Sequence, residues 1–546
     1  MEPRGSLPYD VEAALKQARA LMDAGRIEDG LEKYFGLVTS ADDAIVKAGV
    51  FLDAATRLSW YGHRDRAIPF LEEALRHCRD RRSLVSVAAQ LELGSCLLWT
   101  DRMEEGSRLI FFAAAAAKES GDPLLLCLAA LARAEQLAHG GDAEEAALTY
   151  ESGAHLALKV DDQRLVACTQ RLAALCFHRA STHRFQVARL DKALEFSSLA
   201  LEQAECARDL PHLMKVRSFR CMLFWTRGEW RLLRVELEEA SDVRRSLLQL
   251  PNEAFLHTSS DLAYRAWVGD ADTLERALGE LPGTVFPHPI FEPARWILAV
   301  KGRALQGRLP EARHILAVNA SSIPPRPPSG HFDAWLQAAF HLLSCYCDVE
   351  DEKGAMRWYG LLAPYGDRLV PHTFPALELG RAESLCRKWT DASEWLSKAR
   401  ELTERERALP FLAMAEFELG LLHLRRSEGD DLAHARRHFE EAVKLFNQLG
   451  MHRHRDRAQH YLNKLRRRNG KGERELTLRE KQVVCLVVDG KTDPQIAKEL
   501  VRSPKTVARH IHNILVKVGL PNRTALAGWG ARNGLDQERT KSQDIK

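Results

Sequence analysis

Residues Ser503–Gly519 read SPKTVARHIHNILVKVG. Ser503 supplies an N-cap hydroxyl, and Pro504 takes the first helical position, where its missing N–H costs nothing. Val507, Ile511, Ile514, Leu515 and Val518 recur at helical spacing and form one buried face. Lys505, Arg509, His512 and Val516 define a second face, with Ala508 beside Arg509, while Thr506, His510, Asn513 and Lys517 run along the flank. No acidic residue occurs anywhere in the stretch. A helix packed only among other helices would mix both signs of charge on its outer face. This one suits a surface laid against phosphates.

Working outward, two more helix starts precede it. Thr477-Leu478-Arg479-Glu480 is a capping box, and Thr492-Asp493-Pro494-Gln495 is a second of the same kind. Only Val501-Arg502 separates the second helix from the third. Short helix, tight turn and longer basic helix make the helix-turn-helix arrangement.

These residues resemble the LuxR-type (FixJ/NarL group) DNA-binding domain. The matching elements are Leu476-Thr477-x-Arg479-Glu480, Gly490-Lys491-Thr492, Ile496-Ala497, Leu500, Ser503, Thr506-Val507, His510, Ile514, Lys517, Gly519 and Asn522-Arg523-Thr524, over about 60 residues. The resemblance implies that the third helix enters the major groove of duplex DNA. It also implies that a fourth, near Asn522–Ala531, supports pairing of two domains, so a homodimer on DNA is expected. Where the family usually has Lys, this chain has Ala508, so base readout is expected to lean on Arg509 and His512, with Ala508 free to touch a thymine methyl. Lys498, Ser503, Lys505, Thr506, His510, Lys517 and Arg523 are expected to contact the phosphate backbone or orient the helix. Asp493 replaces a common Asn and reads as a surface change of little consequence for the fold.

Charge sets this end apart. Residues 474–535 carry 11 Lys/Arg against five Asp/Glu, and 452–473 carry eight against two. Against a net charge of +3 for the whole chain, residues 1–451 are left at a formal −9. A polyanionic partner is therefore expected for the C-terminal end alone.

Upstream, amphipathic helices alternate with turns at Gly25-Arg26, Gly62-His63, Asp101-Arg102, Gly141-Asp142, around Arg184, Gly228-Glu229, Gly269-Asp270, Gly307-Arg308, around Asp351, Thr390-Asp391 and Gly429-Asp430. That recurrence, roughly every 40 residues, is the period of helical hairpins. Trp60, Trp99, Trp225, Trp267 and Trp389 each precede a turn closely and read as core positions. Ala67, Ala146 and Ala312 each follow a turn glycine by five residues, where two helices in close contact need a small side chain. Each hairpin has an apolar face that only its neighbours can cover. The expectation is an all-α chain: a tetratricopeptide-like α-solenoid over residues 1–465, a linker at 466–473, a four-helix helix-turn-helix domain at 474–535 and a polar tail at 536–546. Prolines at 211, 282, 287, 289, 324, 325, 327 and 328 fall between helices or at their starts.

Other function classes find little support. Gly490-Lys491-Thr492 resembles the end of a phosphate-binding loop, but Cys485 stands where that loop needs glycine. Cys176-x-His178 with His183, Cys345-x-Cys347 and His452-x-His454 lack a second ligand pair at zinc spacing. No catalytic residue, metal ligand or cofactor is expected. No apolar run approaches the length of a membrane span, no signal peptide is read at the N-terminus, and 11 scattered Cys suit a reducing cytoplasm. The leading expectation is a transcriptional regulator whose solenoid senses a small-molecule or protein ligand. The alternative is a helical-repeat scaffold for protein–protein assembly.

Overall fold

One turn recurs along the first unit. A helix ends, one residue adopts positive φ, and the N–H of the next returns to the carbonyl five residues back. This is the Schellman arrangement, which satisfies carbonyls the helix leaves open. It is formed by Arg26 to Leu21, His63 to Leu58, Asp142 to Leu137, Arg189 to Arg184, Glu229 to Phe224, Arg308 to Arg303, Asp351 to Tyr346 and Lys388 to Glu383, at 2.8–3.0 Å. Glycine holds the left-handed position at Gly25, Gly62, Gly141, Gly228 and Gly307, but Ala188, Glu350 and Arg387 hold it elsewhere. Two expected turns therefore move. The Val166–Gln186 helix runs through Arg184, and its turn is centred on Ala188. Thr390-Asp391 lies inside the Trp389–Arg405 helix, whose preceding turn is centred on Arg387, so Trp389 follows its turn instead of preceding it.

The computed structural model describes residues 9–160, 166–247, 254–268, 275–276, 279, 291–328, 332–469, 476–518 and 520–533. The expected turn at Gly269-Asp270, Pro282, Pro287, Pro289, Gly519, residues 470–473 and the tail lie outside these. Among the described residues there are 26 α-helices and no β-strand. No helix among them is long and apolar enough to cross a membrane.

The chain divides into two compact units, Met1–Asp456 and Arg457–Lys546. In the first, antiparallel hairpins follow one another: Tyr9–Asp23 with Ile27–Ser40, Ala44–Trp60 with Arg64–His77, Leu84–Leu97 with Met103–Ser120, and Pro123–His139 with Ala143–Leu158. Val166–Gln186 then pairs with Leu190–Cys206, and Leu210–Arg227 with Trp230–Arg245. After Phe255–Val268 come Pro293–Leu305 with Leu309–Asn319, Phe332–Asp348 with Glu352–Leu362, Pro375–Leu385 with Trp389–Arg405, and Leu409–Arg426 with Asp431–Gln448. Several first helices start on side-chain caps, among them Asp122 on the amides of Leu124 and Leu125 at 3.0 and 3.1 Å.

The small residue five positions after the turn does what its spacing predicts. Ala67, Ala146 and Ala312 are fully buried, and Gly30, Gly106, Ala193, Ala355 and Ala392 take the equivalent place in other hairpins. At Gly106 the helices cross so closely that a Cβ would lie 2.7 Å from the carbonyl oxygen of Gly94. This unit is an α-solenoid of tetratricopeptide-like hairpins.

Its hairpins also touch others several repeats away. Lys215 Nζ donates to the carbonyl of Trp60 at 2.6 Å, and the Trp60 ring meets His212 edge-on at 5.6 Å. Arg171 lies 3.4 Å from Asp23 and 3.1 Å from Asp209. The Leu190 amide donates to Glu406 at 2.8 Å, Leu369 to the carbonyl of Gln186 at 2.9 Å, and the Trp230 indole to Leu449 at 2.8 Å. Trp225, 1% exposed, packs on Trp267 at 4.4 Å and Phe411 at 5.5 Å. Hairpins several repeats apart therefore share one core, which joins residues 185–263 to 369–422.

Candidate nucleic-acid interface

The second unit holds four short helices after the end of His452–Asn469: Leu478–Val488, Asp493–Glu499, Pro504–Val518 and Arg523–Arg532. Each start is fixed locally. The Thr477 amide donates to Glu480 Oε2 at 2.8 Å while the Glu480 amide donates to Thr477 Oγ1 at 3.2 Å. Gln495 Oε1 accepts from the Thr492 amide at 2.8 Å, Ser503 Oγ from the Thr506 amide at 3.2 Å, and Asn522 Oδ1 from the Ala525 amide at 2.9 Å. A helix, not a strand, leads into Gly490-Lys491-Thr492, which removes the phosphate-loop reading.

One apolar core joins all four. Val483, Val484 and Val487 meet Ile496, Val507, Ile511, Ile514 and Leu526, with Leu515 and Val518 partly buried against them. The fourth helix lies close on the first: a Cβ at Gly530 would come within 2.7 Å of both Val484 and Val488. In the tight turn, the Arg502 amide returns to the carbonyl of Ala497 at 2.9 Å, and Arg479 Nη2 donates to the carbonyl of Leu500 at 2.7 Å. Val501 closes this turn at φ +53°, a conformation that a β-branched residue rarely takes.

With Val507, Ile511 and Ile514 turned inward, the opposite face of Pro504–Val518 is left to solvent. Lys505, Ala508, Arg509, His512 and Val516 are exposed; Thr506, His510 and Lys517 are half-buried on the flanks. Acidic groups near this face are answered by basic ones. Glu480 pairs with Lys517, Glu499 with Lys491, and Asp493 with Arg523, whose guanidinium also donates to the carbonyl of Lys491. Burial works against the Glu480 carboxylate, but hydrogen bonds from Lys517 and Thr477 outweigh it and hold the carboxyl below its ordinary value. Asp493 is therefore more than a surface change, because it ties the second helix to the start of the fourth. Lys498, Lys505 and Arg509 form no ion pair among the described residues, and neither does Arg502.

Of the expected contact residues, Ser503, Lys505, Ala508, Arg509 and His512 thus share one continuous exposed surface, with Lys498 exposed on the second helix. Lys517 and Arg523 are engaged by carboxylates of neighbouring helices. Arg502, exposed in the turn just before Ser503, was readable only as part of a turn. Its signal was charge: a cation beside an acid-free helix. Elsewhere, Cys176, His178, His183, Cys345 and Cys347 are buried helix residues. No group of three or more metal-binding side chains occurs among the described residues.

Residues 474–529 match the family of bacterial regulatory proteins, luxR family. The chain is 45% identical over 60 residues to the transcriptional regulatory protein LiaR of Bacillus subtilis, covering 11% of this chain and 28% of that one. It is 47% identical over 49 residues to the spore germination protein GerE of B. subtilis, covering 9% and 66%. The chain thus spans under a third of the length of the first relative and about two thirds of the second. Among solved structures, the APC/C hetero-tetramer Cut9-Hcn1 aligns over 96% of both chains at 12% identity, with a TM-score of 0.42. At residues 474–529 the chain carries a helix-turn-helix domain of the luxR family of bacterial regulatory proteins, C-terminal to tetratricopeptide-like helical repeats.

Proposed function

We propose that this protein is a transcriptional regulator that binds duplex DNA with the Pro504–Val518 helix in the major groove. The observation that carries this reading is the face opposite the core, acid-free and with Lys505 and Arg509 in no ion pair among the described residues, inside a domain of the luxR family. Ala508, Arg509 and His512 read base edges. Lys498, Ser503, Lys505, Thr506 and His510 hold the phosphate backbone, with Arg502 added to them. Lys517 acts mainly by holding the third helix against Glu480, and Arg523 by holding the fourth helix against Asp493. The protein works in the cytoplasm as a homodimer on DNA, and its solenoid, residues 1–465, receives a small-molecule or protein signal. Residues 466–473 link it to the reader, 474–535, and 536–546 form a tail. To act as a switch, the signal must bind two states of the protein with different affinity.

The test is binding of the full chain to duplex DNA across a salt series. A steep linear fall of log affinity with log salt is expected, because each neutralised phosphate releases counterions. Absent or salt-insensitive binding overturns the proposal and leaves the scaffold reading in its place.

A further inference from the structure

On the outer face of the Pro504–Val518 helix one residue is out of character. Val516 is 69% exposed, and among the large apolar side chains described only Val501 is exposed over a larger fraction of its surface. Its position is the point. At about 100° per residue, Lys505, Arg509, His512 and Val516 fall within about 60° of one another, and Val516 lies between His512 and Arg509. Their common direction is opposite Val507, Ile511 and Ile514, which are buried. Every other member of that stripe carries a cation or an imidazole. Solvation would be served better by a polar side chain at the centre of such a face.

Resting on the DNA-binding reading above, we propose that Val516 is a specificity-determining residue that reads the 5-methyl group of a thymine in the major groove. An aliphatic side chain has nothing to offer a phosphate, and the thymine methyl is the one apolar group that base edges present in this groove. Spacing limits which base. Val516 lies about 6 Å along the helix axis from His512 and about 10 Å from Arg509, at most roughly two and three base-pair steps. The recognised half-site thus runs from the base met by Arg509 to a thymine no more than about three steps beyond it. Ala508 and Val516 frame the two polar readers with apolar contacts.

The experiment selects preferred sites from random duplexes with the full-length protein and with Val516→Ala, Val516→Thr and Arg509→Ala. It then replaces the inferred thymine by uracil in the best site. For the wild type, loss of the methyl is expected to weaken binding about fourfold, the worth of one buried methyl group. Val516→Ala should bind the thymine and uracil sites alike, and Val516→Thr, which keeps one methyl, should retain part of the difference. An unchanged uracil penalty in Val516→Ala overturns the inference. So does a wild-type site without thymine within about three steps of the position relaxed by Arg509→Ala. In either case DNA binding itself stands, whereas a wild type that binds no duplex overturns both readings together.

Discussion

Arg381 and Arg509 are the same residue type put to opposite uses. Arg381, in the Pro375–Leu385 helix of the solenoid, is buried and fully engaged. It donates to Glu378 at 2.8 Å, Asp348 at 2.5 Å, Glu418 at 3.1 Å and Ser344 at 3.1 Å, and so links three hairpins. Arg509 is exposed and forms no ion pair among the described residues. In the solenoid the charges of the inner helices answer one another, so they specify packing and offer little to a visitor. In the small unit, the carboxylates of Glu480, Glu499 and Asp493 are taken by Lys517, Lys491 and Arg523. Cations left to solvent are available to an anionic partner. The contrast separates residues that hold the fold from residues that, on the reading proposed above, meet DNA.

The largest expected effect breaks the first half of that contrast. Arg381→Ala leaves three carboxylates facing a vacated, buried space and should cost roughly 3–5 kcal/mol, read from the urea unfolding midpoint. A loss under about 1 kcal/mol would mean that these groups were solvated all along. Next, Arg509→Ala should leave the unfolding midpoint alone yet cost roughly 1–3 kcal/mol of binding to the preferred site, with relaxed choice at one base. Equal losses on preferred and scrambled DNA would make it a phosphate contact instead.

A smaller effect concerns Glu480. Its carboxyl is held below its ordinary value of 4.5, so the stabilisation is complete above that value and is lost as pH falls through the depressed one. Lys517→Ala should move the titration of Glu480, followed by NMR, back upward and shrink the acid-dependent stability by under about 1 kcal/mol. An unmoved titration would mean that the pair does not persist in solution. The smallest change sharpens the turn: Val501→Asn, better suited to φ +53°, should raise stability by up to about 1 kcal/mol in thermal unfolding. A fall in stability would show that Val501 contributes something other than strain.

How far the sequence could be read follows from where each signal resides. Turn glycines and the small residue five places later are local requirements of one hairpin, so Gly62 with Ala67 and Gly141 with Ala146 were legible. At Ala188 and Arg387 the same backbone is imposed on residues that do not announce it, and the expected turns slipped by about three to four residues. The caps at Thr477, Thr492 and Ser503 and the apolar stripe of the third helix were equally local, and they placed the exposed face correctly. The partners of Lys517 and Arg523 were not legible, because Glu480 and Asp493 reach them only once four helices have packed. The contacts between distant hairpins left no mark in the pattern at all. A periodic sequence specifies its neighbours, whereas the winding depends on small rotations accumulated over many repeats.

That winding bears on how the chain comes apart. A stack in which every hairpin meets only its neighbours can fray from an end, one unit at a time. Here Lys215 reaches back 155 residues to Trp60, and Leu190 reaches forward 216 residues to Glu406. Such contacts close very long loops, which slows assembly and raises contact order above that of an open array. They also lace distant hairpins together, so a load on the N-terminal hairpins is shared with the middle of the array instead of peeling it away from the end.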